Sequence, residues 1–311
     1  MPRWTLRDIP DLTGRTAMVT GGNAGLGFRS VLELARKGAR VMLACRRTDK
    51  GDAAADRIRS ELPDARLETV VLELTDPVGI ERFADRVASR TNRLDILLNN
   101  AAAVGLAVLR RTPLGHEMHI ATNHYGHFLV TGHLLPLLVA TPGARVVTVT
   151  SAAHLTGAID LEDLDWRARP YNGAKAYADS KMASLLFMRE LQARLDAAGA
   201  AVLSVAAHPG MTATGPRRPA GIGRVFDRLL FSRVDAGVRP QLRAATDPAA
   251  KKLDFYGPRF GLRGAPRRIR VRGAAGSGVL ARRLWKVTEE VTGFRYEARA
   301  SGSAPDSDTA Q

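Results

Sequence analysis

Short apolar runs and amphipathic stretches alternate along the chain. Thr16 to Thr20 predicts a buried strand that runs into the glycines Gly21, Gly22, Gly25 and Gly27. Val31, Leu32, Leu34 and Ala35 then keep a helical period as far as Gly38, a residue suited to ending a helix. Further strands are expected over Arg40 to Cys45, Leu67 to Glu73, Leu94 to Asn99, Arg145 to Ser151, Ala200 to Ala207 and Leu253 to Tyr256. Helical patterns fill the intervals: Asp49 to Glu61, Pro77 to Ser89, a long stretch from Pro113 to Ala140, and Lys175 to Ala198. Such alternation predicts an α/β fold, a parallel sheet of about seven strands with helices on both faces. Ligands in such sheets bind beyond the carboxyl ends of the strands, where strand order reverses. Asn99, Asn100 and Ser151 fall at those ends.

The remaining segments organise around this unit. Met211 to Pro240 is rich in glycine, proline and arginine and reads as a loop with one short helix near Val225 to Leu230, of the kind that lids a pocket. Val279 to Val291 looks helical, and Ala298 to Gln311 has a disordered composition. The expectation is one domain over residues 1–297 followed by a tail.

Charge changes the picture less than its size suggests. The 311 residues carry a formal net charge of +15, the usual signature of a nucleic-acid or anionic-membrane partner. Yet lysine supplies seven of the 46 basic residues, and arginine and alanine are spread along the whole length, as in a broad compositional bias. Aromatic residues make up 5%, too few to stack bases, so no nucleic-acid role is expected. Nine basic residues and no acid lie between Arg259 and Lys286, a solvated surface or an anion-attracting rim beside a ligand site. Cys45 is the sole cysteine, which excludes an internal disulfide and fits a reducing compartment. The N-terminus lacks a signal-like apolar run, and the most apolar stretch, Phe128 to Ala140, is interrupted by His133 and Pro136. A cytoplasmic protein without an integral membrane segment is expected.

Candidate chemistry then falls into two groups. A strand, a glycine turn and a helix form a phosphate cradle: glycines at Gly21, Gly25 and Gly27 let the backbone turn and approach a pyrophosphate, whose charge the helix N-terminus stabilises. No Gly-Lys-Ser/Thr follows, so an ATP-type loop is a poor match. The second strand ends in Cys45-Arg46-Arg47, with two guanidinium groups where NAD sites commonly place a carboxylate, which favours NADP(H) over NAD(H). The second group is Tyr177 and Lys181, one turn apart on one helical face. Bringing a phenol of pKa about 10 down by roughly three units takes about 4 kcal/mol. A unit charge at about 4 Å supplies that order of energy at a local dielectric near 20. His116, His119, His124, His127 and His133 recur near one helix, but no carboxylate pattern completes a site, so no metal is expected.

Taken in order, Thr20-Gly21-x-x-x-Gly25-x-Gly27, Asn99-Asn100-Ala101, Asn123, Ser151 and Tyr177-x-x-x-Lys181 resemble the short-chain dehydrogenase/reductase family. Thr122 to Phe128, Ser151 to His154 and His208-Pro209-Gly210 look like its retinol-dehydrogenase-like branch, which also includes the protochlorophyllide reductases. The resemblance implies a doubly wound Rossmann fold and a small lipophilic carbonyl or alcohol substrate. It implies that Tyr177 is the acid or base, that Lys181 lowers its pKa and binds the nicotinamide ribose, and that Ser151 bonds the reacting oxygen. Asn123 would hold a water linking Lys181 to solvent. The cofactor contacts it implies are Gly21, Asn23, Gly25, Leu26, Gly27, Arg46, Glu73, Leu74, Asn100, Ala101, Pro209, Gly210 and one of Thr212 and Thr214. Ala102 replaces the family's usual glycine and Glu73 its usual aspartate. Family members often pair through the helices expected here at 113–140 and 175–198, making a homo-oligomer an expectation as well. The alternative from another class is a non-catalytic NADP(H)-binding sensor; such proteins often lose the tyrosine or lysine that this chain keeps.

Overall fold

The computed structural model describes residues 4–210, 223–261 and 264–296. Its centre is one sheet of eight strands in the order β3-β2-β1-β4-β5-β6-β7-β8. These are β1 Thr16–Thr20, β2 Arg40–Cys45, β3 Leu67–Val71, β4 Ile96–Asn99, β5 Arg145–Val149, β6 Leu203–Ala207, β7 Phe255–Pro258 and β8 Pro266–Ile269. The first seven run parallel, with Val19 opposite Leu43 and Leu98 opposite Val147. The order reverses between β1 and β4, so the crevice for a ligand opens there.

Side chains alternate across the sheet even though both faces are covered. On β1 and β2, Ala17, Val19, Val41 and Leu43 join one core, while Met18, Met42 and Ala44 join the other. The first core is closed by α1 Gly25–Arg36, α2 Thr48–Arg59 and α8 Gly223–Thr246. The second is closed by α3 Pro77–Ala88, α5 Gly126–His133, α6 Leu135–Val139, α7 Gly173–Ala197 and α9 Gly278–Thr292.

The parallel α/β sheet is as expected, with one strand more than the seven expected, and two further expectations are corrected. The sheet has an eighth strand, β8, antiparallel to β7; its Arg267 and Arg268 are exposed, the charged edge that keeps a sheet from pairing further but hides the apolar alternation. The lid expected as a loop over 211–240 holds instead the first three quarters of α8, which runs through Pro240; residues 211–222 lie outside the described residues. The long helix expected from Pro113 begins only at α4 Met118–Ile120. Glu117 caps it by accepting the Ile120 N–H, after a turn in which Gly115 takes a φ of 84°. One turn of wider π geometry, Ala121–Tyr125, then joins α4 to α5.

Candidate active site

The glycine turn leaves room for a ligand at the start of α1. Gly21 and Gly25 have φ of 66° and 53°, which side chains disfavour. A Cβ on Gly27 would overlap the Gly21 carbonyl oxygen, so the helix is seated directly on the strand end. Ala24 precedes α1 with no side-chain cap, so the first helical amides have no competing acceptor there.

Thr20 and Asn100 hold the opposite bank. Thr20 Oγ1 accepts the amides of Asn100 and Ala101 at 2.9 Å each and shares a hydrogen bond of 3.0 Å with His127 Nε2. Burial pushes His127 down to about 3, so its ring is neutral. Asn100 donates to the Thr20 carbonyl at 2.8 Å and accepts from Gln241 at 3.2 Å, and Gln241 also donates to Ser30 Oγ at 2.8 Å. Neither Thr20 nor Gln241 was assigned a role from sequence. Thr20 sits within the glycine motif and could have been, whereas Gln241 falls just past the loop expected over 211–240, in a stretch with no element expected from sequence.

A cleft of about 1160 Å³ runs across the strand ends from this turn to α7. Of the residues implied for cofactor and chemistry, Gly21, Asn23, Gly25, Leu26, Gly27, Arg46, Glu73, Leu74, Asn100, Ala101, Ser151, Tyr177, Lys181, Pro209 and Gly210 line it. Thr212 and Thr214 lie outside the described residues. At one end, Asn23, Arg46, Arg47, Lys50 and Glu73 wall a side recess of about 510 Å³. Arg47 is engaged there by Asp49 through bonds of 2.6 and 3.0 Å, while Arg46 has no side-chain partner among the described residues. The Glu73 carboxylate accepts the amide and hydroxyl of Thr75 at 3.1 and 2.9 Å.

Ser151, Tyr177 and Lys181 meet beyond β5. Ser151 opens the short turn Ala152–Thr156, its Oγ accepting the Ala153 amide at 3.2 Å. Lys181 is buried; its Nζ donates to the Val149 carbonyl at 3.2 Å and stands 5.8 Å from the Tyr177 ring centre. Thr150 Oγ1 donates to the Lys181 carbonyl at 2.7 Å, pinning this turn of α7 against the end of β5. Burial pushes the Lys181 ammonium down to about 8. Burial likewise pushes the Tyr177 phenol up, and the Ser151 hydroxyl pulls it only partly back. The expected lowering of the phenol by its neighbouring cation is therefore not a property of the protein chain alone, because loss of water outweighs what surrounds the ring. The edge of the His119 ring packs on Tyr177 with centroids 5.7 Å apart.

Asn123 does not line the cleft. Its amide donates to the Ala103 carbonyl at 3.1 Å and to Ser180 Oγ at 2.9 Å, and its oxygen accepts the Ala103 amide at 2.8 Å. Sitting in the π turn, it ties the loop after β4 to α7 beside the reacting groups. The histidines take separate partners: His116 bonds Asp165, His119 bonds Glu117, and His124 bonds Thr288.

Fold and cleft together are those of a nicotinamide-dinucleotide oxidoreductase, and the chain belongs to the short-chain dehydrogenase family, whose family model, described as short chain dehydrogenase, matches residues 15–221. Retinol dehydrogenase 12 of Mus musculus is 36% identical over 289 residues, covering 92% of this chain and 89% of that protein. Retinol dehydrogenase 13 of Homo sapiens is 40% identical over 211 residues, 68% of this chain; the match spans 63% of that relative's length. Among solved structures, a putative uncharacterized protein from Mycobacterium Paratuberculosis superposes with a TM-score of 0.82 at 38% identity, covering 95% of this chain and 100% of that one. A putative short chain dehydrogenase from Escherichia coli CFT073 complexed with NADPH gives a TM-score of 0.53 at 26% identity over 64% of this chain and 78% of that one. Among the described residues no helix is long and apolar enough to cross a membrane.

Proposed function

We propose that the chain is an NADP(H)-dependent oxidoreductase that interconverts a carbonyl and an alcohol on a lipophilic small molecule, with Tyr177 as the acid or base. The observation that carries this is the meeting of Ser151, Tyr177 and Lys181 in one cleft whose other end is the glycine turn. That turn fits a dinucleotide: Gly27 has no room for a Cβ, the start of α1 is uncapped, and Arg46 has no competing partner among the described residues. Gly21 to Gly27 would receive the pyrophosphate, Arg46 the 2′-phosphate, and Asn100, Lys181, Pro209 and Gly210 the nicotinamide half.

The dinucleotide supplies or takes the hydride. Everything else is done by the chain. In reduction, Ser151 donates a hydrogen bond to the carbonyl oxygen and Tyr177 gives that oxygen its phenolic proton as the C–O double bond becomes single. In oxidation, the phenolate takes the hydroxyl proton. A phenol raised by burial holds its proton at neutral pH, so the resting protein is set as a donor, the state that reduction needs. The Lys181 ammonium, with its pKa near 8, remains mostly charged at pH 7 and favours the phenolate left behind. Asn123 keeps the loop after β4 in register with these groups.

The test is NADPH oxidation against a panel of aldehydes, ketones and quinones, with Tyr177→Phe beside the natural chain. Removal of the phenol should lower kcat by about a thousandfold, within the range for a positioned acid, while NADPH binding followed by its fluorescence stays close to unchanged. Turnover retained by the phenylalanine variant would rule out the assigned acid.

A further inference from the structure

Among the described residues, three cationic side chains line the cleft, and the proposed reaction uses two of them. Arg46 stands at the recess with Lys50 and Glu73, and Lys181 stands beside Tyr177. The third, Arg110, lies on the segment that walls the substrate side together with Val104, Leu106, Met118 and Thr122. That segment follows β4, and the Arg110 carbonyl anchors it by accepting the Met118 amide at 3.0 Å. The neighbouring guanidiniums are spoken for. Arg111 donates to the carbonyls of Gly115 and Asp165 at 3.0 Å each and to that of Trp166 at 3.2 Å. Arg167 donates to the Gly115 carbonyl at 3.1 Å and lies 4.0 Å from Asp165. Arg110 makes no side-chain hydrogen bond or ion pair among the described residues.

The rest of the cleft sharpens the asymmetry. Glu73 is the only acid among the described lining residues, and it belongs to the opposite end. The walls near Arg110 are apolar and open, formed by Val104, at 47% exposure, Leu106 and Met118. A cation left unpaired beside apolar surface suits a molecule that is itself divided in the same way. We infer that the substrate is amphiphilic: a lipophilic carbonyl or alcohol whose far end carries an anionic group, such as a carboxylate, received by Arg110. This rests on the carbonyl–alcohol reading of the cleft and adds the charge of its substrate.

The experiment compares a homologous series of aliphatic aldehydes ending in a carboxylate with their methyl esters, using NADPH and the full chain. The carboxylates should have the higher kcat/KM at the length that spans the cleft. Arg110→Ala should cut the acid-to-ester ratio by about fivefold, as expected for an exposed ion pair, and Arg110→Lys should restore part of it. The preference should also shrink as salt is raised. Equal kcat/KM for acid and ester, or an Arg110→Ala effect confined to the KM for NADPH, would overturn the inference. If no member of either series or of the panel of aldehydes, ketones and quinones turns over, the carbonyl–alcohol reading fails instead. Calorimetric binding of an aliphatic carboxylate against the matching alcohol to the NADPH-loaded protein then decides the role of Arg110. Tighter binding of the carboxylate that is lost in Arg110→Ala upholds it, and no difference between the two ligands sinks it.

Discussion

Arg46 and Arg47 are adjacent and alike, yet the fold gives them different work. Arg47 precedes α2 and closes a bidentate pair with Asp49, whereas Arg46 lines the recess with no side-chain partner to displace among the described residues. A phosphate arriving there gains a full charge-assisted contact from Arg46 and would first have to compete with a carboxylate for Arg47. Arg46→Ala should therefore raise the Kd for NADPH by about tenfold, roughly 1.4 kcal/mol, and leave that for NADH nearly untouched. Titration of both dinucleotides into the variant measures this, and equal weakening of the two would remove Arg46 from the 2′-phosphate. Sequence could place both arginines at the end of β2 but could not divide their roles, because the pairing depends on the geometry of the first turn of α2. The same limit applies to Tyr177. Its spacing from Lys181 was legible in the chain; the direction of its pKa was not, since that is set by how much water the folded cleft removes.

At the level of elements, α9 shows how a surface helix becomes part of the core. Trp285 is 2% exposed, with ring centroids 4.8 Å from Phe128 on α5, 5.8 Å from Phe187 on α7 and 4.6 Å from Tyr296 beyond α9. Its indole N–H donates to Glu289 at 2.8 Å, and the Arg194 guanidinium lies 4.5 Å over the ring. Trp285→Ala would leave a void that three helices cannot jointly refill, at a cost of about 3 to 5 kcal/mol. Urea unfolding should show it as a lowered midpoint with an unchanged slope, and a loss under about 1 kcal/mol would mean α9 is packed far more loosely than these distances say. The strong apolar periods of α1, α3 and α9 made those helices readable, and strands β1, β2 and β5 were readable as short, mostly apolar runs. The second half of α8 was not, since Pro240 and the flanking glycines and arginines carry loop signals that its burial against Ser30 and Asn100 overrides. Nor was β8, whose arginines face water. The π turn at Ala121–Tyr125 leaves no mark in composition at all: it exists because Asn123 bonds Ala103 and Ser180, two partners distant in sequence.

For the whole molecule, the question is what the α5–α7 side of the sheet presents to a second copy of the chain. The family resemblance led to an expectation of pairing through these helices. In α7, however, every residue from Ala178 to Met188 is buried, so that stretch has no free face. Part of the cover is the chain's own: Trp285 of α9 stacks on Phe187 with the two rings 5° from parallel. On α5, a Cβ at Gly132 would run into Phe294 and Tyr296, and the Tyr296 hydroxyl donates to the Phe128 carbonyl at 2.6 Å. A partner helix would have to displace the segment at 294–296 and expose the Phe128 and Trp285 rings before it gained any contact, and those rings are already buried at no cost in association entropy. The chain should therefore be a monomer of 33.5 kDa in solution. Light scattering behind a sizing column, at a salt concentration high enough to screen the net charge of +15, measures this directly. A stable dimer that dissociates on substitution of His133, half-buried on α5, or of the exposed Ala193 of α7 would show that the self-made cover gives way to a partner.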